Sequence, residues 1–139
     1  MDMEFPVIAF SSSAPYFVAF RTEGSLVRST HHGLKSGWHT DLRVFDSTGR
    51  CFLVKRVEIE RPRSKLILFL GDLVGAQVRL AFTQVEELPP APLDELKEKI
   101  YASFAADPGW YANAAPIEER RQHIANCQTY REVIECFIW

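Results

Sequence analysis

The sequence predicts an α+β fold, with a mainly antiparallel sheet of four to six strands followed by two or three C-terminal helices packed on it. Three observations carry this. Segments of strand character follow one another from Thr40 to Val85. The stretch Leu88-Pro89-Pro90-Ala91-Pro92 then ends the pattern, because proline suits neither a central strand nor a helix interior. Beyond it, Leu93, Leu96, Ile100 and Phe104 recur at helical spacing. Strands first and helices after is the α+β order. A chain of 139 residues that is 47% hydrophobic and 24% charged has the size of one domain and can bury a core. The expected division is a sheet part over 1–87, a proline-rich linker over 88–92 and a helical part over 93–139.

Taken in order, Phe5 to Phe10 reads as a short edge strand, because Pro6 cannot donate to a ladder. Ser11 to Pro15 is a turn, and Tyr16 to Arg21 is a second strand by its β-propensity. Thr22 to Gly37 is polar and punctuated by glycine, so it reads as a long connection, with Leu26-Val27 as a short extra strand. Trp38 to Phe45 and Cys51 to Ile59 pair across Asp46-Ser47-Thr48-Gly49, a hairpin turn in which glycine supplies the positive φ. Leu66 to Leu70 is apolar at every position and is expected to be the central strand, covered on both faces. Val78, Leu80 and Phe82 alternate with polar or small residues, as in a half-buried strand.

Leu93 to Ala106 is then an amphipathic helix with Pro92 at its start, closed by Asp107-Pro108-Gly109. Pro116 opens a second helix carrying Ile117 and Ile124. Thr129 and Glu132 have capping-box spacing, so a last helix starts at Tyr130. The expected core is Phe17, Val44, Leu53, Val57, Leu66, Leu68, Leu80, Phe82, Leu96, Ile100, Phe104, Ile124, Val133 and Phe137, with Trp139 partly packed.

The formal net charge of -2 disfavours a protein whose main work is holding a phosphate backbone. Three cysteines without a CxxC argue against a disulfide scaffold and for a reducing compartment. Met1-Asp2-Met3-Glu4 is acidic where a secretory leader is basic, and no apolar run approaches the roughly 18 residues that span a bilayer. A cytoplasmic location with no membrane partner is therefore expected, as a monomer or weak homodimer.

No GxSxG, HExxH, P-loop or GxGxxG occurs, so no catalytic residues are assigned and no cofactor is expected. His31, His32, His39 and Asp41 are the candidate metal ligands, and if Trp38 to Phe45 is a strand, His39 and Asp41 share a face. Their spacing matches no metal motif, and solvated loop histidines are the plainer reading. A Cys–His nucleophile from Cys51, Cys127 or Cys136 with His123 or the loop histidines is conceivable, but buried structural cysteine is the commoner role. Lys55-Arg56 and Arg61 to Lys65, near Phe52 and Phe69, are the candidate nucleic-acid contacts, weighed against core roles for both rings. Asp94, Glu98, Glu118 and Glu119 lie on predicted outward helix faces. These carboxylates are either solvated or an acidic surface for a basic partner. The loop aromatics Trp110 and Tyr111 are candidate interface anchors, of a kind that also often caps a core edge.

Three stretches, Gly37-Trp38 through Ile59, Leu93 to Tyr111 and Glu118 to Phe137, together set out a recognisable order. It runs strand, D-S-x-G turn, strand, L-x-E-L-K helix, proline–aromatic loop and T-x-x-E-x-I helix. This order, carried by those three stretches, resembles small bacterial immunity-type proteins of polymorphic-toxin systems. The resemblance implies a cytosolic protein that binds a cognate toxin and blocks it, and it transfers no binding residue. Asp46-Ser47-Thr48-Gly49 is too short for the D-x-S-x-x-G turn of the PilZ barrel, and no matching arginine pair precedes it. The expected function is thus a non-catalytic binding protein of the immunity type. A nucleic-acid-associated or regulatory module is the alternative, and a metal-dependent hydrolase built on the loop histidines stands behind both.

Overall fold

In the computed structural model, which describes residues 2–13, 17–30, 37–60, 66–67, 70, 73, 77–111 and 116–138, the sheet has six strands. They are β1 (Val7–Phe10), β2 (Phe17–Phe20), β3 (Arg28–Thr30), β4 (Leu42–Phe45), β5 (Cys51–Ile59) and β6 (Gln77–Leu88). Their spatial order is β2-β1-β4-β5-β6-β3, and every neighbouring pair is antiparallel. A one-turn helix, α1 (Glu23–Leu26), precedes β3. Helices α2 (Leu93–Ala106), α3 (Pro108–Tyr111), α4 (Ile117–Ala125) and α5 (Tyr130–Glu135) follow the sheet. The predicted α+β arrangement is the one found.

The sheet carries two apolar clusters, one on each side. Ile8, Phe17, Phe45 and Cys51 pack with Leu96, Ile100 and Phe104 of α2, Ile124 of α4, and Val133, Ile134 and Phe137 of the C-terminal segment. On the other side Val7, Ala9, Leu42, Val44, Phe52 and Val54 pack under Met3, Leu26 of α1 and Trp38. Alternation along each strand divides the residues, so Val7 and Ile8 or Val44 and Phe45 serve opposite clusters. The β5–β6 ladder is irregular between Val54 and Val57. An extra residue there shifts the parity, which is why Val57 joins Phe52 and Val54 although it is three residues on. The same break puts Phe82 and Val85 together on that side. Such a bulge sharpens the twist, and the sheet curls so that β6 also reaches β3, with Leu80 N–H donating to Val27 O at 2.7 Å.

Two segments do not take their expected places in the sheet. Phe5 to Phe10 reads as an edge, yet β1 lies between β2 and β4, and Val7, Ile8 and Ala9 are fully buried. Pro6 is compatible with this because it precedes the first ladder residue, and its carbonyl accepts Ser47 Oγ at 2.6 Å. Leu66 to Leu70, expected to be the central strand, is corrected: Leu66, Ile67, Leu70 and Leu73 are helical and 66, 52, 51 and 67% exposed. Their offsets of one, four and seven are helical spacing, which a short all-apolar run conceals. Leu66 therefore leaves the expected core, and Leu68 and Phe69 lie outside the described residues. Leu53, Val57 and Phe82 are half-buried, whereas the other expected core residues are buried. The short strand expected at Leu26-Val27 is instead the end of α1, which Thr22 caps by accepting Ser25 N–H. Trp139 lies outside the described residues.

The strand expected from Trp38 begins only at Leu42, after a turn over 37–41 in which Asp41 has φ 51°. Ser11, Ser12 and Ser13 donate to the carbonyls of Trp38, Thr40 and Gly37, so serines of one loop satisfy the backbone of another. The Asp46 turn is as predicted. Its buried carboxylate accepts Thr48 N–H, Thr48 O–H and Arg50 N–H on Oδ1, and Glu4 N–H on Oδ2. Gly49 has φ 93°, and a Cβ there would lie 2.9 Å from the Tyr130 ring, so both conformation and packing require glycine. Tyr130 is pinned in turn by donating its hydroxyl to Ala91 O, which ties α5 to the linker. Among the described residues no helix is long and apolar enough to cross a membrane.

Candidate functional site

The helical layer holds the two surface features that bear on function. The first is the predicted acidic face. Asp94 and Glu98 are four residues apart on α2, so both point the same way, and both are exposed. Glu118 and Glu119 occupy the first turn of α4, where the helix dipole favours negative charge. Between the two helices the Arg121 guanidinium stacks on the Tyr101 ring at 4.8 Å. Burial pushes the Tyr101 hydroxyl above its usual pKa, and the charges of Glu98 and Asp94 act in the same direction. Glu118 lines a shallow depression with Tyr101 and Arg121. Glu118 thus reaches Tyr101 from α4, and Asp94 and Glu98 act on the same side chain from α2; among the described residues none of the three is in an ion pair. Glu119 turns the other way and borders a second depression. Trp110 and Tyr111 lie in α3, directly after α2, and their side chains lie outside the described residues.

The second feature is a side-chain cluster. His123 and Cys127 are four residues apart across the C-terminal end of α4, so they share a face. Thr129 then caps α5 by accepting Glu132 N–H at 3.1 Å, and Val133, Ile134 and Phe137 bury its apolar side. That short reversal returns Cys136 to Cys127, with the two Sγ atoms 3.9 Å apart. One ligand atom from each of His123, Cys127 and Cys136 lies within 4.8 Å of the others. The thiols donate to helical carbonyls, Cys127 to His123 O at 3.4 Å and Cys136 to Glu132 O at 3.2 Å. Lys97 holds the end of α4 by donating to Ala125 O at 3.1 Å and Cys127 O at 2.8 Å. Glu119 borders the cluster on one side, and Glu132 and Glu135 border it on the other.

As a nucleophile the cluster is poorly prepared. Burial, reinforced by Cys127, pushes the Cys136 thiol up to about 12. Burial also raises the Cys51 thiol. Attack requires a thiolate, and these environments disfavour one. The single signal for the cluster in the sequence is the His123/Cys127 spacing. Cys136 joins only through the packing of α5 against α4.

The other candidates do not converge. His39 is buried, edge-on to the Trp38 ring at 5.0 Å, whereas Asp41 is exposed, and neither lies in a strand. The expected shared face is therefore absent. His31 and His32 lie outside the described residues, as do Arg61 to Lys65. Lys55 pairs with Glu86 at 2.7 Å and Arg56 with Glu58 at 3.1 Å, so carboxylates offset the basic residues of β5. Phe52 is buried in the sheet rather than offered to a base. No family model matches the chain, and no curated protein or solved structure shows significant similarity to it.

Proposed function

We propose that this protein is a non-catalytic binding protein whose partner is a basic protein, and that the partner is a bacterial toxin it restrains in the manner of immunity-type inhibitors. One observation carries the reading. Asp94, Glu98 and Glu118 are exposed around Tyr101 and Arg121 on adjoining helices, without ion pairs among the described residues. Carboxylates left unpaired are available to a partner's cations and raise the rate at which such a partner is captured. Tyr101 and Arg121 at their centre are residue types enriched where interface energy concentrates. The motif resemblance set out above points the same way, and the acidic balance of the chain agrees with it.

The test is co-expression with the product of the adjacent gene, followed by binding of the purified pair. The expected result is neutralisation of a toxic neighbour and a salt-sensitive complex. Association should slow by roughly tenfold or more when Asp94, Glu98 and Glu118 are changed to lysine. A non-toxic neighbour, or a toxic one that is neither bound nor neutralised, overturns the immunity reading. Salt-dependent binding of RNA or DNA that survives these charge reversals points to a nucleic-acid module instead.

A further inference from the structure

We infer that His123, Cys127 and Cys136 form a binding site for a zinc-type transition metal. The donor set comes first. Two thiolates and one imidazole select zinc and related soft or borderline ions over magnesium and calcium, which take oxygen ligands. Geometry comes second. Zinc–sulfur bonds of about 2.3 Å at a tetrahedral angle place two sulfurs about 3.8 Å apart. Cys127 and Cys136 hold their sulfurs at 3.9 Å, so a metal seats between them with little movement of either sulfur. A disulfide needs the same atoms at about 2.05 Å, well inside the separation they have here. The imidazole of His123 completes three ligands within 4.8 Å, and it is exposed, which gives an ion a way in.

Surrounding charge favours a cation. The site lies at the C-terminal end of α4, the negative end of its dipole. Glu119, Glu132 and Glu135 border it, the last paired with Arg131 at 3.8 Å, and Arg120, stacked on the Phe137 ring at 5.2 Å, and Lys97, on the Cys127 carbonyl at 2.8 Å, are opposing charges. Metal binding displaces the protons of both thiols, which now donate to the carbonyls of His123 and Glu132. The three ligand residues line one surface depression together with Glu132 and Glu135. This site is separate from the acidic face of α2 and does not depend on the partner proposed for it.

The reduced, purified chain is titrated with cobalt(II), which reports thiolate and tetrahedral ligation by its visible and near-ultraviolet bands, and zinc is then added to displace it. One equivalent of cobalt with sulfur charge-transfer bands, bleached by one equivalent of zinc, is expected. Cys136→Ser should lose most of that intensity and weaken zinc by more than the roughly 10- to 100-fold that removal of an outer-shell partner costs. His123→Ala should weaken zinc comparably while keeping the charge-transfer bands. His123 is exposed and Cys136 half-buried, so both variants keep the test independent of the core position of Cys127. Zinc should also slow oxidation of Cys127 and Cys136 to a disulfide. Absence of stoichiometric binding at micromolar metal, unchanged affinity in both variants, or disulfide formation at the same rate with and without zinc overturns the proposal.

Discussion

His39 is buried beside Trp38, and neither its Nδ1 nor the Trp38 Nε1 has a hydrogen-bond partner among the described residues. Burial holds its imidazole below the ordinary value of 6.5, so the folded chain binds this proton less readily than the unfolded chain. The contribution of neutral His39 to stability is therefore present above pH 6.5 and is lost as pH falls from there towards the lowered folded value. His39→Phe keeps a ring against Trp38, leaves no partner unpaired and removes the proton. Its denaturation free energy should fall less steeply than that of the wild type as pH drops below 6.5, and equal slopes would refute the assignment. Residues whose role is set by near neighbours in sequence were legible at this scale. Asp46 and Gly49 announce their turn, and Thr129 announces its cap. The metal-ligand cluster was not legible, because Cys136 reaches His123 and Cys127 through tertiary packing.

Elements whose periodicity runs long enough to be unambiguous fell where expected. Leu93–Ala106 and Cys51–Ile59 match their predicted bounds, and the last helix starts at Tyr130 as expected. The failures are short runs in which strand and helix patterns coincide. Leu66 to Leu70 satisfies both a buried strand and one face of a helix, and no polar residue inside it breaks the tie. Pro6 lowered the reading of β1 to an edge because its position just outside the ladder depends on the turn at Ser47. The exposed, helical placement of Leu66 and Leu70 has a measurable consequence. Leu66→Gln and Leu70→Gln should each change stability by no more than about 0.5 kcal/mol, as exposed positions do. Leu96→Ala, in the fully buried face of α2, should cost about 2–5 kcal/mol. A loss of core size at Leu66 in chemical denaturation would restore it to the sheet.

The six-stranded order and the second cluster belong to the whole molecule and were beyond the sequence, since alternation assigns residues to faces without saying which strands adjoin. Both clusters grow from the same two strands. Val7 and Ala9 of β1 and Val44 of β4 serve one side, and Ile8 and Phe45 of those strands serve the other. Neither cluster can lose its packing without disturbing backbone that the other needs, so the chain should unfold in one cooperative step. Phe104→Ala opens a cavity only on the helical side, where its ring lies 6.3 Å from those of Phe17 and Phe137. It should cost about 3–5 kcal/mol. In a background where Trp110 and Trp139 are phenylalanine, fluorescence reports Trp38 alone, on the far side of the sheet. The fluorescence midpoint should then move to lower denaturant together with the loss of helical circular dichroism, by the same free energy. If helicity is lost first while the Trp38 signal keeps its wild-type midpoint, the two sides are separate cooperative units, and coupling through β1 and β4 is wrong.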